Sequence, residues 1–270
     1  MEDMNILYAK LTNECNLSCP HCNILNDFDY DEEKFFEQID RFEGKIIAFG
    51  GEPTIYRDRL LRLFASKKVM SITTNLLILD DELIEYYKDI GLATSWNENR
   101  FLEDQYDHWL MNLKILGKHD ISCSVLITMT DQLIHSNPLE FIQMIKLWND
   151  EYYSIENILL EQLIDPTKSQ EFYNGVDDWL CEIHRLWNLY DIHIENRIVT
   201  DILHWNKDCS NIYTLEPNGT LRHHCPHPVP RIIREECLTC SYADICRPCI
   251  LQQHCTFPKK LYTMIKKNEG

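Results

Sequence analysis

Residues Ile6 to Cys22, ILYAKLTNECNLSCPHC, decide how the rest of the chain is understood. The run from Ile6 to Leu11 is short and mostly aliphatic or aromatic, which predicts a strand. Immediately beyond it Cys15, Cys19 and Cys22 follow a C-x3-C-x2-C spacing, so one loop can aim three thiolates at a common point. Two kinds of group suit such a loop. One is an iron–sulfur cluster, which normally takes four cysteines and is here left with one iron open. The other is a structural zinc ion whose fourth ligand is His21 or another side chain.

Working outward, the stretch from Asn5 to about Ile198 alternates between short β-rich runs and longer amphipathic segments. Strands are predicted at Ile6 to Leu11, Lys45 to Phe49, Val69 to Thr74, Leu92 to Trp96, Ile121 to Thr128 and Asn157 to Leu163. Helices are predicted near Asp31 to Phe42, Arg57 to Ser66, Asp80 to Ile90, Asp104 to Leu116 and Pro138 to Trp148, the last with Asn137 as N-cap. A further helix follows the sixth strand, where Val176, Trp179, Leu180, Ile183, Leu186, Trp187 and Tyr190 form a core stripe. Six such units predict an α/β fold, a partial (β/α)6 TIM-like barrel whose working face is the carboxyl end of its strands. After about Thr200 the apolar periodicity fades and cysteines, prolines and histidines gather. The expected division is a barrel domain over 1–200 and a small cysteine-rich, cluster-binding domain over 201–270.

Composition narrows the function. With 270 residues, 44% of them hydrophobic and 26% charged, the chain can bury a sizeable core. A net charge of −17 argues against bulk nucleic-acid binding, which needs a basic face. The N-terminus lacks the features of a signal peptide, and no apolar run is long enough to span a membrane, so a cytoplasmic protein is expected. Thiols stay reduced there, which makes the 12 cysteines metal ligands or catalytic groups rather than disulfides. A barrel that starts within the first few residues also predicts no fused leader-peptide recognition domain.

At the end of the second predicted strand stands Gly50-Gly51-Glu52-Pro53-Thr54. Two glycines admit a close backbone approach, and a carboxylate accepts charge-assisted hydrogen bonds from an ammonium group. A C-x3-C-x2-C loop after the first strand, followed one unit later by this segment, resembles the radical S-adenosylmethionine (SAM) enzymes. The resemblance implies that Cys15, Cys19 and Cys22 hold a [4Fe-4S] cluster and that Gly50, Gly51 and Glu52 meet the methionine end of SAM. It puts His21 where the family usually carries an aromatic ring against the adenine. Thr73-Thr74-Asn75 resembles the family's Thr-Asn-Gly segment, with Leu76 in place of the glycine. Ser95-Trp96-Asn97, at the end of the fourth strand, implies that Ser95 and Asn97 lie near the SAM ribose or carboxylate.

The later cysteines run Cys209-x9-Gly219-x5-Cys225, then Cys237-x2-Cys240-x5-Cys246-x2-Cys249 and Cys255. This resembles the SPASM extension of the same superfamily, which holds two auxiliary [4Fe-4S] clusters, and it differs by one residue in two of the gaps. The resemblance implies a distal cluster on Cys237, Cys240, Cys246 and Cys255 and a proximal one on Cys209, Cys225 and Cys249. The proximal cluster then has an open iron or a fourth ligand among His223, His224, His227 and Asp208. Taken alone, the paired cysteines also suit two zinc sites, the mark of a non-catalytic zinc-binding interaction protein. Cys123 alternates with Ile121, Val125 and Ile127 and is expected to pack as a small apolar residue, while Cys181 lies off its helix's apolar stripe and carries no assigned role.

What the resemblance implies for function is reductive cleavage of SAM to a 5′-deoxyadenosyl radical, which abstracts hydrogen from an unactivated C–H bond. The activity is that of a SPASM-type oxidoreductase or isomerase with three [4Fe-4S] clusters. The implied substrate is a peptide side chain or backbone, undergoing oxidation, crosslinking or epimerisation. A nucleoside, nucleobase or sugar is the alternative. A one-electron reductant such as flavodoxin or ferredoxin is the implied partner, and Glu161 and Asp165, after the sixth strand, are candidate bases.

Overall fold

The computed structural model describes residues 4–20, 22, 29–162, 167–197, 211–223, 239–242, 255 and 257–268. His21, Asp165, Asp208, His224, His227 and five cysteines (Cys209, Cys225, Cys237, Cys246 and Cys249) lie outside the described residues. In chain order the elements are β1 (Ile6–Lys10), α1 (Glu32–Arg41), β2 (Lys45–Phe49), a 3-10 turn (Pro53–Ile55), α2 (Arg57–Ala65), β3 (Val69–Thr74), α3 (Asp81–Tyr87) and β4 (Gly91–Trp96). Then come α4 (Glu103–Lys118), β5 (Cys123–Met129), α5 (Asp131–His135), α6 (Pro138–Glu151), β6 (Ile155–Gln162), α7 (Gln170–Leu189), β7 (Glu195–Asn196), β8 (Ile212–Leu215), β9 (Leu221–His223) and a final helix, α8 (Lys259–Asn268). The alternating β/α architecture expected from the sequence is the one observed. No helix among the described residues is long and apolar enough to cross a membrane.

The chain divides into two compact units, Met1–Val125 with Asp208–Pro228, and Leu126–Lys207 with Val229–Gly270. In the first, β1 pairs in parallel with β2, β2 with β3 and β3 with β4. Alternate residues of these strands (Leu7, Ala9, Ile46, Ala48 and Ile72) are fully buried, as are Phe35 and Ile39 of α1 and Leu60 and Leu63 of α2. Asp31 caps α1 by accepting the N–H of Lys34, and acidic Glu32 and Glu33 occupy its first turn.

Residues 211–223, expected in the C-terminal domain, join this first unit. β8 pairs in parallel with β1, Ile6 opposite Ile212, and β9 returns antiparallel to β8. Gly219 turns the hairpin at φ +79, and a Cβ there would stand 2.5 Å from that of Lys34. A buried ion pair joins Lys10 of β1 to Glu216 at 3.3 Å, and Arg222 bonds the other oxygen of Glu216. Strands of two to four residues are too short to declare a period-two pattern, which is why β7, β8 and β9 were not read from the sequence.

The second unit is organised by α7. Phe172, Tyr173, Val176, Trp179, Leu180, Ile183, Leu186 and Trp187 are buried along it, which includes six of the seven residues in the expected stripe. Cys181 is half-buried, off that stripe as expected, and in the first unit Cys123 on β5 is packed at 1% exposure. Buried among the apolar residues of α7 is one carboxylate, Asp177. It accepts the backbone N–H groups of Lys260 at 2.8 Å and Leu261 at 3.0 Å. The residue preceding α8 is Pro258, whose side chain has no acceptor, so the cap is supplied from α7.

Burial outweighs those two bonds and raises the Asp177 carboxyl above its ordinary value. A carboxyl raised in the folded state keeps its proton longer there than in the unfolded chain. Its contribution to stability therefore falls as pH rises from the ordinary carboxylate value to the folded one. In urea titrations between about pH 4 and 7, the stability of the wild type minus that of Asp177→Asn should decrease with pH. An increase would mean that the capping bonds outweigh burial.

Candidate functional site

The loops after β1, β2 and β3 are joined first through their backbones. Beyond the β1–β2 ladder the N–H of Leu11 donates to Phe49 O at 3.0 Å, that of Gly51 to Thr12 O at 2.8 Å and that of Glu52 to Glu14 O at 2.7 Å. This zipper requires glycine. A Cβ on Gly51 would lie 2.0 Å from the Glu14 carbonyl oxygen, and one on Gly50, where φ is +149, would lie 2.5 Å from Thr12 O. In this structure the close approach made by the pair is to the cysteine loop itself.

Glu52 has no exposed surface. Its Oε1 accepts the Thr54 N–H at 3.1 Å, the Thr54 hydroxyl at 2.6 Å and the Thr74 hydroxyl at 2.6 Å, while Oε2 accepts the Asn75 N–H at 2.6 Å. The carboxylate is thus solvated by the ends of β2 and β3. Asn75 continues the connection, its Nδ2 donating to Asn16 Oδ1 at 2.5 Å and standing 3.9 Å from Cys15 Sγ. The Leu17 N–H reaches the same sulfur at 3.4 Å. Opposite, Glu14 accepts the Tyr56 hydroxyl at 2.6 Å. Asn16 and Tyr56 carry no spacing signal that would have selected them from sequence.

Cys15 and Cys22 are exposed and Cys19 is half-buried, with the Cys22 N–H donating to Cys19 O at 3.1 Å. The local environment pushes the Cys15 thiol up, chiefly by desolvation and partly through the Glu52 charge, against the Leu17 N–H and Arg100. Desolvation likewise raises Cys19, with Arg100 opposing. Both thiols are therefore protonated at neutral pH. Among the described residues no three His, Cys, Asp or Glu side chains converge on one ion. A cubane cluster takes each thiolate at a different corner, so three cysteines spread along one loop, with N–H donors directed at a sulfur, fit it.

The remaining expected positions are less connected. Ser95 is half-buried on β4 and Asn97 is buried just beyond it, where its carbonyl accepts the Arg100 N–H at 3.1 Å. Behind them Thr94 takes the indole N–H of Trp109 at 3.0 Å. Leu76, standing where the resemblance expects glycine, has φ 60 and is fully buried. Its N–H donates to the Thr74 hydroxyl at 3.1 Å and its carbonyl accepts Asn112 Nδ2 at 2.7 Å. Glu161 is exposed. His223 packs its ring on Tyr213, with centroids 4.7 Å apart.

No family model matches the chain. A tungsten-containing aldehyde ferredoxin oxidoreductase cofactor-modifying protein from Pyrococcus furiosus is 32% identical over 102 residues, a stretch covering 33% of this chain and only 29% of that protein. Among solved structures, anSMEcpe with bound AdoMet is similar with a TM-score of 0.68 at 13% identity, covering 97% of this chain and 94% of that one. Streptococcus suis SuiB bound to S-adenosylmethionine has a TM-score of 0.64 at 15% identity over 90% of this chain and 72% of that one. SuiB bound to its precursor peptide SuiA gives 0.63 at 14% identity, covering 90% and 71%. The fold expected from the motifs is therefore one shared with SAM-bound proteins.

Two substitutions test the network. Thr74→Val removes one donor from the buried Glu52 charge and should cost about 1.5–3 kcal/mol in urea unfolding, whereas Thr74→Ser should stay near wild type; equal stability of all three would mean that this bond contributes nothing. Gly51→Ala should cost about 1–3 kcal/mol by overpacking against the Glu14 carbonyl, a loss that a thermal melt would register and whose absence would show that the loop yields freely.

Proposed function

We propose that this chain, built on the fold of SAM-bound proteins, is a radical SAM enzyme of the SPASM type. The observation that carries the proposal is the continuous connection from the buried Glu52 through Asn75 to Cys15, which unites the motifs of three successive strands. Cys15, Cys19 and Cys22 would hold a [4Fe-4S] cluster with one open iron. Such a cluster with SAM supplies one-electron cleavage to methionine and a 5′-deoxyadenosyl radical that takes hydrogen from an unactivated C–H bond.

The residues of the chain orient and tune. The Leu17 N–H and Asn75 Nδ2 point at Cys15 Sγ and stabilise negative charge on it. Glu52 holds the strand ends in place, leaving the backbone around Gly50 and Gly51, with Ser95 and Asn97, as the contacts proposed for SAM. His21 is proposed against the adenine.

Two auxiliary clusters are proposed on Cys209, Cys225 and Cys249, and on Cys237, Cys240, Cys246 and Cys255. Hairpin connectivity supports the first, because Cys209 lies shortly before β8 and Cys225 shortly after β9, and antiparallel pairing brings those two ends of the hairpin together. The substrate we favour is a peptide, supported by the likeness to SuiB in complex with a precursor peptide. The local likeness to a cofactor-modifying protein supports a small molecule as the second reading. Flavodoxin or ferredoxin in a reducing cytoplasm is the proposed source of electrons.

Protein reconstituted under anaerobic conditions should bind roughly twelve irons, three clusters of four, and release 5′-deoxyadenosine from SAM when reduced. Changing Cys15, Cys19 and Cys22 together to alanine should abolish that release and leave roughly eight irons. Colourless protein holding stoichiometric zinc and inert toward SAM would overturn the proposal.

A further inference from the structure

Two of the cysteines assigned to the distal cluster, Cys240 and Cys255, are among the described residues, and each stands two positions before an aromatic residue. The rings of Tyr242 and Phe257 lie with centroids 5.5 Å apart, and both pack against Tyr262 of α8, at 5.7 and 5.6 Å. The Tyr242 hydroxyl also bonds that of Thr263 at 2.6 Å. These contacts clasp the chain just beyond Cys240 and the chain just beyond Cys255 to one helix.

The first residue of α7 grips the same segment. Gln170 pairs its carboxamide with the main chain of Cys255 as a neighbouring strand would. Its Oε1 accepts the Cys255 N–H at 2.9 Å, and its Nε2 donates to the Cys255 carbonyl at 2.9 Å. A third bond, from Nε2 to Asn174 Oδ1 at 3.1 Å, fixes the orientation of the amide. Further along α7, Asp177 caps α8, so the segment from Cys255 to Leu261 is anchored at both ends. None of these groups is a ligand assigned to the cluster.

We infer that Gln170 is a positioning residue for the distal cluster: it sets the backbone of Cys255 in place before metal binds, while the Tyr242–Phe257–Tyr262 clasp tethers the chain at Cys240 to the same helix. This rests on the cluster assignment proposed above. Preorganisation of this kind lowers the ordering cost that binding would otherwise incur. It also occupies the Cys255 N–H, which is then not free to donate to a cluster sulfur, one of the terms that sets a cluster's potential.

The metal-free chain gives the first test. In hydrogen exchange, the Cys255 amide of the wild type should be protected, and that protection should fall about tenfold or more in Gln170→Leu, which keeps bulk and removes both bonds. Gln170→Glu keeps the acceptor for the N–H and should fall between the two. After reconstitution, Gln170→Leu should retain about four fewer irons than the wild type, one cluster's worth, with its circular dichroism unchanged. An unprotected Cys255 amide in the wild type overturns the inference without recourse to any variant. So does full iron retention in Gln170→Leu. Cys255→Ser separates the two levels of the argument: if it keeps wild-type iron, the cluster assignment itself fails and the inference falls with it.

Discussion

A carboxylate cut off from water must be solvated by protein, and the loops at the ends of three strands are arranged around that requirement at Glu52. Four donors meet its two oxygens, from Thr54 just beyond β2 and from Thr74 and Asn75 at the end of β3. Its own N–H is taken by the carbonyl of Glu14 in the loop after β1. An ionised group in such a place is tolerated only when its acceptors are filled, because leaving a buried charge unpaired costs several kcal/mol. Satisfying Glu52 and shaping the cysteine loop are therefore one structural event. The Gly50–Gly51 pair lets the two loops come close enough for it to occur.

The same logic of filled valences explains how the hairpin of β8 and β9 is seated. Without β8, one side of β1 would present unpaired backbone groups, and exposed strand edges are templates for unwanted pairing. β8 covers it in parallel register, and the buried Lys10 and Glu216 fix the hairpin to that strand, while Gly219 admits the close approach to α1. The hairpin lies between Cys209 and Cys225, so the sequence pattern that marks these cysteines includes, in its central glycine, a residue whose role is to hold the hairpin against the first unit.

Much of this was legible in sequence where the signal is local. The first six strands and the apolar stripe of α7 each lie within a short window, and each was placed correctly or within a few residues. What could not be read is the set of long-range polar contacts. Gln170 and Cys255, or Asp177 and Leu261, stand more than eighty residues apart, and a glutamine or aspartate on a helix looks like any solvated residue until its partner arrives. α5 escaped for the opposite reason, being five residues long and so too short to repeat the 3.6-residue period that would reveal it. The glycine pair was recognised as a close-approach device, but the surface it approaches is the neighbouring loop, which only the folded chain discloses.

Leu76 ties the cysteine loop to helix α4. A side chain in the left-handed region costs about 1–2 kcal/mol, and here that strain is balanced by complete burial and by the amide of Asn112, a residue of α4. From Asn112 the chain of contact runs to Leu76, to its neighbour Asn75 and on to the sulfur of Cys15. Where a glycine would swivel freely, the leucine acts as a peg driven into the core. The packing of α4 and the placement of the groups around a single thiol are thus joined by one short run of contacts.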